Sequence, residues 1–303
     1  NDRLVEIDGE STKDLSLPEA LKKLRGAPGT KVKLTVLRGP EEDKEGVWES
    51  KEFALTREVV KIESVQSWIQ QPGIGYLRLI EFSGRTAEDA LEALKSLKSQ
   101  GAKSLILDLR NNPGGLLTAA VEIAGSFLGD GKLIVYTQGR KPDSRQEFHA
   151  AAKASYADLP LIVLVNEGSA SGSEIVAGAL QDHHRAVILG ARTYGKASVQ
   201  SVVPLSDGSG LRLTVARYYT PLGRSIHRDE KARTGGIMPD LVVPISREEE
   251  AKLYNQWDLV YAQGKKPRPS VKKEELVKDE ALERAIELMK ARDVLGSLRI
   301  KEG

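Results

Sequence analysis

The chain has no cysteine among its 303 residues. That excludes disulfides, thiol catalysis and cysteine metal sites, and it fixes no compartment. Long apolar runs are also missing. The longest, residues 159–165, contains Pro160 and is far too short to span a bilayer. There is no excess charge of one sign: 45 basic and 43 acidic residues leave a formal net charge of +2. A nucleic-acid binder usually carries a dense basic stripe, and none is visible. The densest candidate, Lys265-Lys266-Pro267-Arg268 with Lys272-Lys273, runs at once into Glu274-Glu275 and reads as solvated surface. Histidine is scarce, with four in all. His183 and His184 lie at the far end of a helix from its first residue, and His149 and His227 lie in polar segments, so no triad is evident. The G-x-x-x-x-G-K-[ST] phosphate loop is absent, and no internal repeat is seen.

What is present alternates between strand and helix patterns. Residues 3–7 read as a strand ending at Asp8-Gly9. Ser16 caps a short helix over 17–24, with Pro18 in its first turn and Gly26 beyond its end. Residues 31–37 alternate, with Val32, Leu34 and Val36 on one face; 38–47 is a charged loop and 48–56 a further strand. This is a compact strand-helix-strand-strand unit. Because it opens in mid-domain, more chain is expected before Asn1.

From Ile74 the pattern changes. A strand over 76–82 leads to an amphipathic helix over 87–100, with Leu91, Leu94 and Leu97 on its apolar face. Further strands are expected at 104–109, 132–137, 159–165 and 186–189, and helices at 116–128 and 171–180. Residues 138–158 read as exposed and polar. Residues 199–205 and 210–219 read as a hairpin turned at Ser206-Asp207-Gly208, and 280–292 as a helix. This order implies an α/β core with a largely parallel sheet.

Two segments carry candidate chemistry. The first is Asn166-Glu167-Gly168-Ser169-Ala170-Ser171-Gly172-Ser173-Glu174-Ile175, where a buried strand turns into a helix. A serine there is presented at the end of a sheet, beside free helical N–H groups that can stabilise an oxyanion. Ser169, Ser171 and Ser173 compete for the role, and an ordinary N-cap has the same pattern. The second is Thr193-Tyr194-Gly195-Lys196-Ala197-Ser198-Val199-Gln200. A serine needs a neighbour to take its proton, and a buried, neutral lysine can do so. In an extended segment Lys196, Ser198 and Gln200 share one face, so Gln200 can hold the amine. A surface lysine on a hairpin is the plainer alternative. A third segment, Asn111-Asn112-Pro113-Gly114-Gly115, follows a parallel strand; its paired glycines let the backbone approach a ligand.

With these segments together, the chain resembles the carboxy-terminal processing peptidases, or tail-specific proteases. Further family-like stretches are residues 1–9, residues 24–30, Asp108-Leu109-Arg110 before the glycine turn, residues 218–226 and Gly236-Ile237-Met238-Pro239-Asp240. The resemblance implies a ClpP/crotonase-like α/β core carrying a PDZ domain that is β-rich with one helix. On this chain that means a partial PDZ domain at 1–57, a catalytic core at 58–245 and a C-terminal helical extension at 246–303 that packs on the core. It implies a serine endopeptidase with Ser171 as nucleophile, Lys196 as base and Gln200 as its positioning residue. The oxyanion donors would be the N–H of Gly172 and one from Gly114 or Gly115. No cofactor or metal is implied. The partners would be protein or peptide substrates with exposed C-termini, with room for a homo-oligomer or an adaptor. The location would be outside the cytoplasm, in a bacterial periplasm or cell envelope rather than a thylakoid lumen. Gly172 stands where the family usually has alanine, and Ala197 where it usually has glycine. The competing readings are a crotonase-fold acyl-CoA enzyme and a non-catalytic peptide-binding scaffold.

Overall fold

The structure is a computed structural model that describes residues 2–39, 47–59, 63–129, 131–151, 154–206, 209–229, 234–261 and 276–299. The chain forms two compact units, Asn1–Ile62 and Glu63–Gly303.

The first unit holds β1 (Arg3–Ile7), β2 (Glu10–Ser11), α1 (Leu17–Leu24), β3 (Lys31–Arg38) and β4 (Glu49–Thr56). The strands form one antiparallel sheet in the order β2-β1-β3-β4. The alternation in β3 buries Val32 and Val36 beside Ile7 of β1 and half-buries Leu34. Ser16 is the N-cap of α1. Its N–H and hydroxyl donate to the Glu19 carboxylate at 2.8 and 2.6 Å. No residue of α1 is buried, and Leu17 is 74% exposed. Most of the expected charged loop, residues 40–46, lies outside the described residues.

The second unit begins with β5 (Val65–Gln71), β6 (Ile74–Leu79), α2 (Thr86–Ser99), β7 (Ser104–Asp108), α3 (Leu117–Leu128), β8 (Leu133–Gly139) and β9 (Gln146–His149). It continues with β10 (Leu161–Val165), α4 (Gly172–Asp182), β11 (Val187–Gly190), β12 (Ser198–Pro204), β13 (Gly210–Tyr219), β14 (Leu241–Val242), α5 (Arg247–Tyr261) and α6 (Glu280–Arg299). The six-stranded sheet has the order β14-β11-β10-β7-β6-β5. Its neighbours are parallel except for the β5–β6 edge pair. A separate antiparallel sheet runs β12-β13-β8-β9.

Strands β6, β7 and β10 are buried at every residue because both faces of the sheet are covered. Leu77, Leu79, Leu105, Leu107, Val163 and Val165 pack in one cluster with residues of α2, α3 and α4. Their alternate neighbours Ile74, Tyr76, Ile106, Ile162 and Leu164 pack with Leu282, Ala285, Ile286 and Met289 of α6. The tips of β7 and β10 therefore feed two adjacent turns from a rigid sheet, the usual place for a site in an α/β protein.

Several elements depart from the sequence reading, including the unexpected two-residue strands β2 and β14. Residues 146–149, expected in an exposed polar stretch, form β9, an edge strand that itself remains largely exposed. Strand β5 was not expected. Every one of its residues is half-buried, so no alternation marks it. α5 opens on Arg247-Glu248-Glu249-Glu250 and buries only Leu253 and Trp257 among its described side chains, which leaves little helical periodicity to read. α6 runs seven residues beyond the expected 292, to Arg299. The hairpin turn at Asp207-Gly208 and the basic cluster at 265–273 lie outside the described residues.

Candidate active site

The turn after β10 is stitched to the turn after β7 by buried side chains. Ser169 Oγ donates to the Leu109 carbonyl at 2.8 Å and accepts the Asn166 N–H at 3.0 Å. Ser173 Oγ donates to the Asn112 carbonyl at 2.9 Å, and the Ala170 N–H reaches that carbonyl at 3.0 Å. Both serines are fully buried. Ser171, between them, is half-buried; its oxygen caps the Glu174 N–H at the start of α4, and its hydroxyl donates no hydrogen bond among the described residues. Of the three candidates, Ser171 alone keeps a hydroxyl proton that is not committed to a carbonyl.

Ser171 is the N-cap of α4, with φ 53° and ψ −109°. A non-glycine residue at positive φ is uncommon and costs of order 1–3 kcal/mol, which the surroundings must impose. A sharp strand-to-helix turn of this kind exposes a nucleophile above a sheet. Gly172, the first helical residue, has no intrahelical acceptor for its N–H, and this donor stands at the positive end of α4.

Gly114 lies against this turn. A Cβ built on it would come 2.7 Å from the Ala170 carbonyl and from Ser171 Cβ, and 2.8 Å from the Gly172 nitrogen. Its φ of 97° also demands glycine. The Gly114 N–H, however, donates to Asn112 Oδ1 at 2.9 Å, so it is already used. The Gly115 N–H has no acceptor among the described residues, and Gly115 is exposed. Between the two glycines offered by the sequence, the structure thus leaves Gly115 with the free donor. The loop is held open by Phe82, whose N–H donates to the Gly114 carbonyl at 2.9 Å and whose carbonyl accepts the Leu116 N–H at 2.7 Å. The Phe82 ring also explains Gly172, because an alanine Cβ there would come 3.0 Å from Phe82 Cδ2.

The other expected residues are arranged differently. Lys196 and Gln200 are exposed, whereas Ala197 between them is buried and Val199 packs partly against the core. Both side chains therefore stand open to solvent. No hydrogen bond among the described residues joins the Lys196 amine to Ser171 Oγ or to Gln200. The expectation of a buried lysine held by Gln200 is not met in this conformation. Lys196 precedes β12, and a register shift between Val199 and Gln200 interrupts the alternation that would have set Gln200 beside it.

The two segments are joined instead by Glu174, which the sequence reading passed over. Its carboxylate is fully buried and accepts four hydrogen bonds. Oε1 takes Thr193 Oγ1 and the Gly195 N–H, both at 2.6 Å; Oε2 takes the Lys196 N–H and the Ser171 N–H, both at 2.9 Å. Burial pushes its pKa above the ordinary glutamate range, against the pull of these donors. The signal was available: Ser171-Gly172-Ser173-Glu174 is an S-x-x-E capping pattern. Thr193 Oγ1 in turn accepts the Ile237 N–H at 2.6 Å, so the Gly236-Ile237-Met238 stretch braces the lysine segment.

A serine on a strained strand-to-helix turn, beside free backbone donors, is a candidate nucleophile site at the end of an α/β sheet. Comparison with known proteins gives the family. The model of peptidase family S41 matches residues 73–243, and the chain belongs to that family, with its mixed α/β fold of several sheets. It is 42% identical over 265 residues to a carboxyl-terminal-processing protease of Synechocystis sp., covering 86% of this chain and 58% of that protein. It is also 42% identical over 258 residues to a carboxy-terminal-processing protease of Bartonella bacilliformis, covering 84% and 56%. A solved structure of a photosystem II D1 C-terminal processing protease superposes with a TM-score of 0.53 at 34% identity, covering 80% of this chain and 63% of that one. The chain thus spans less than two-thirds of the length of these relatives.

Proposed function

We propose that the chain is a serine endopeptidase that processes the C-termini of protein substrates. One observation carries the reading: among three neighbouring serines, only Ser171 combines a hydroxyl that donates to nothing among the described residues, a strained N-cap and an unused helical N–H beside it. The names of the relatives support the substrate class. Ser171 Oγ attacks the scissile carbonyl while the Lys196 amine takes its proton. The oxyanion is held by the N–H groups of Gly172 and Gly115. Lys196 gives that proton to the leaving amine as the peptide bond breaks; water, deprotonated by Lys196, then attacks the acyl-enzyme, and the proton goes to Ser171 Oγ as the acyl bond breaks. Lys196 must turn its side chain from solvent toward Ser171. Its main chain is already fixed, because Glu174 binds the Lys196 and Ser171 amides through one oxygen. Gln200, also exposed, steadies the turned amine.

In this reading the second unit is a ClpP/crotonase-like core with residues 246–303 as its extension. The first is part of a PDZ domain that recruits substrate C-termini. Its four strands and single helix fit that role, and the uncovered α1 fits the wall of a peptide groove. Homo-oligomers or an adaptor would bring further substrate selection. A location outside the cytoplasm fits the relatives' processing role. No helix of the described residues is long and apolar enough to cross a membrane.

The test is reaction with a fluorophosphonate, followed by mass spectrometry, alongside cleavage of a C-terminally tailed peptide. The wild-type chain should be labelled at Ser171 and should cleave the peptide. Ser171→Ala should do neither. Lys196→Arg should be inactive, because arginine does not give up its proton. Full cleavage by Ser171→Ala would rule the assignment out.

A further inference from the structure

The two donor-bearing turns are held from behind by α5 and α6. Arg110, the residue before the glycine turn, is buried. Its guanidinium binds Asp108 through Nε and Nη2. Its Nη1 and Nη2 also bind both oxygens of Asp279, at 2.8 and 2.9 Å. Asp279 stands just before α6, where its Oδ1 also accepts the Leu282 N–H at 3.1 Å. The flat face of Arg110 stacks on Trp257 of α5, 4.5 Å from the ring centroid, and Arg78 does so at 4.1 Å.

The second turn has a matching contact. Asn166, at the end of β10, is buried, and its side chain joins the turns to each other. Its Oδ1 accepts the N–H groups of Asn111 and Gly168 at 2.8 and 3.1 Å. Its Nδ2 donates to Asn111 Oδ1 at 2.9 Å and to Glu250 Oε1 of α5 at 2.6 Å. Asn111 itself is held at φ 57°. Thus one carboxylate from each C-terminal helix region ends on a residue that shapes a donor loop.

We propose that Asp279, acting through Arg110, and Glu250, acting through Asn166, are positioning residues for the oxyanion donors. The C-terminal helices then set the aim of the Gly115 and Gly172 N–H groups, besides covering the sheet. This inference rests on the serine-peptidase reading of those donors. The physical ground is that donors stabilise an oxyanion only in register, and small displacements lower kcat strongly. Asp279 reaches Arg110 by a paired, charge-assisted contact with little exposure to solvent, where such a pair has geometric force.

The test uses the full chain. Asp279→Asn keeps a good helix cap but loses the charge on Arg110. It should lower kcat about tenfold with KM within about twofold of wild type, consistent with loss of transition-state binding alone. Glu250→Ala should behave alike, and Glu250→Gln, which keeps an acceptor for Asn166, should restore kcat. Hydrogen exchange gives a readout that does not need activity. Asp279→Asn should speed exchange in residues 110–116 and 166–173 and leave β6 and β10 unchanged. Unchanged exchange in those turns overturns the inference, and so does a lowered melting temperature with wild-type kcat. If the wild-type chain is not labelled at Ser171 while the exchange coupling is present, the peptidase reading fails and the coupling stands.

Discussion

Glu174→Gln is the most exacting test of how this site is assembled. The change keeps size and shape but replaces one carboxylate oxygen by an amide NH2. Four donors converge on the carboxylate: Thr193 Oγ1 and the N–H groups of Gly195, Lys196 and Ser171. Two of them would face another donor after substitution. A hydrogen bond to a charged acceptor contributes about 1.5–3 kcal/mol, so losing two costs about 3–6 kcal/mol. Relief from burying a charge offsets part of this, leaving about 2–4 kcal/mol. At about 2–4 °C per kcal/mol for a domain of this size, the melting temperature should fall by about 5–15 °C. The sign of the pH dependence is also fixed. The folded-state pKa of Glu174 is raised, so the folded chain binds this proton more tightly than the unfolded chain. The wild type gains stability from this group as pH falls through the raised folded value toward the ordinary value of about 4.3. It loses that gain as pH rises again. The glutamine variant lacks the effect, so the gap in melting temperature should widen toward acid. Calorimetry from about pH 4 to 8, with fluorophosphonate labelling of Ser171 at each pH, measures both. Equal melting temperatures and equal labelling rates would mean that Glu174 does not join the two segments.

Three further outcomes are expected. Gly114→Ala puts a Cβ 2.7 Å from Ser171 Cβ at a positive φ, and the turn must shift; peptide cleavage should drop by about 10²-fold, read from kcat/KM. Ser169→Ala and Ser173→Ala each remove an engaged, buried hydroxyl, so each should cost about 1–2 kcal/mol in urea unfolding while some cleavage persists. Asp108 is raised by burial but held below the ordinary aspartate value by the Arg110 guanidinium, with Arg78 and the Tyr76 hydroxyl assisting. Its stabilisation is full above about pH 3.9 and is lost as pH falls through the lower folded value. The stability advantage of wild type over Asp108→Asn should therefore shrink in acid, and an advantage that stays constant from about pH 2 to 6 would contradict the pairing.

Much of this protein was legible in one dimension. The buried strands β6, β7 and β10 could be read because apolar side chains line both of their faces. The turns that follow could be read because asparagine and glycine in Asn-Asn-Pro-Gly-Gly tolerate turn conformations that other residues avoid, and the serines of Ser-Ala-Ser-Gly-Ser favour a helix N-cap. Those features located the three-serine turn and the glycine turn, and the family resemblance then pointed to Ser171. They could not say which serine hydroxyl was free, since that depends on the Leu109 and Asn112 carbonyls, some sixty residues away. Which glycine N–H was free also depended on tertiary structure, because the Asn112 side chain claims the donor of Gly114. Strand β5 escaped notice because half-burial leaves no period in the sequence, and α5 was not marked within the expected helical extension because its mostly exposed, charged residues leave only Leu253 and Trp257 buried among the described side chains. Lys196 shows the limit most clearly. Local alternation put it on one face with Gln200, but in the fold it lies before β12, a register shift interrupts the alternation at Gln200, and both side chains are exposed. The link between serine and lysine segments runs through Glu174, a residue whose role comes from four donors gathered by the fold. Sequence alone determined which groups were available for chemistry. The tertiary structure decided which of them were left unpaired, because each hydrogen bond made within the fold takes a donor or acceptor out of use.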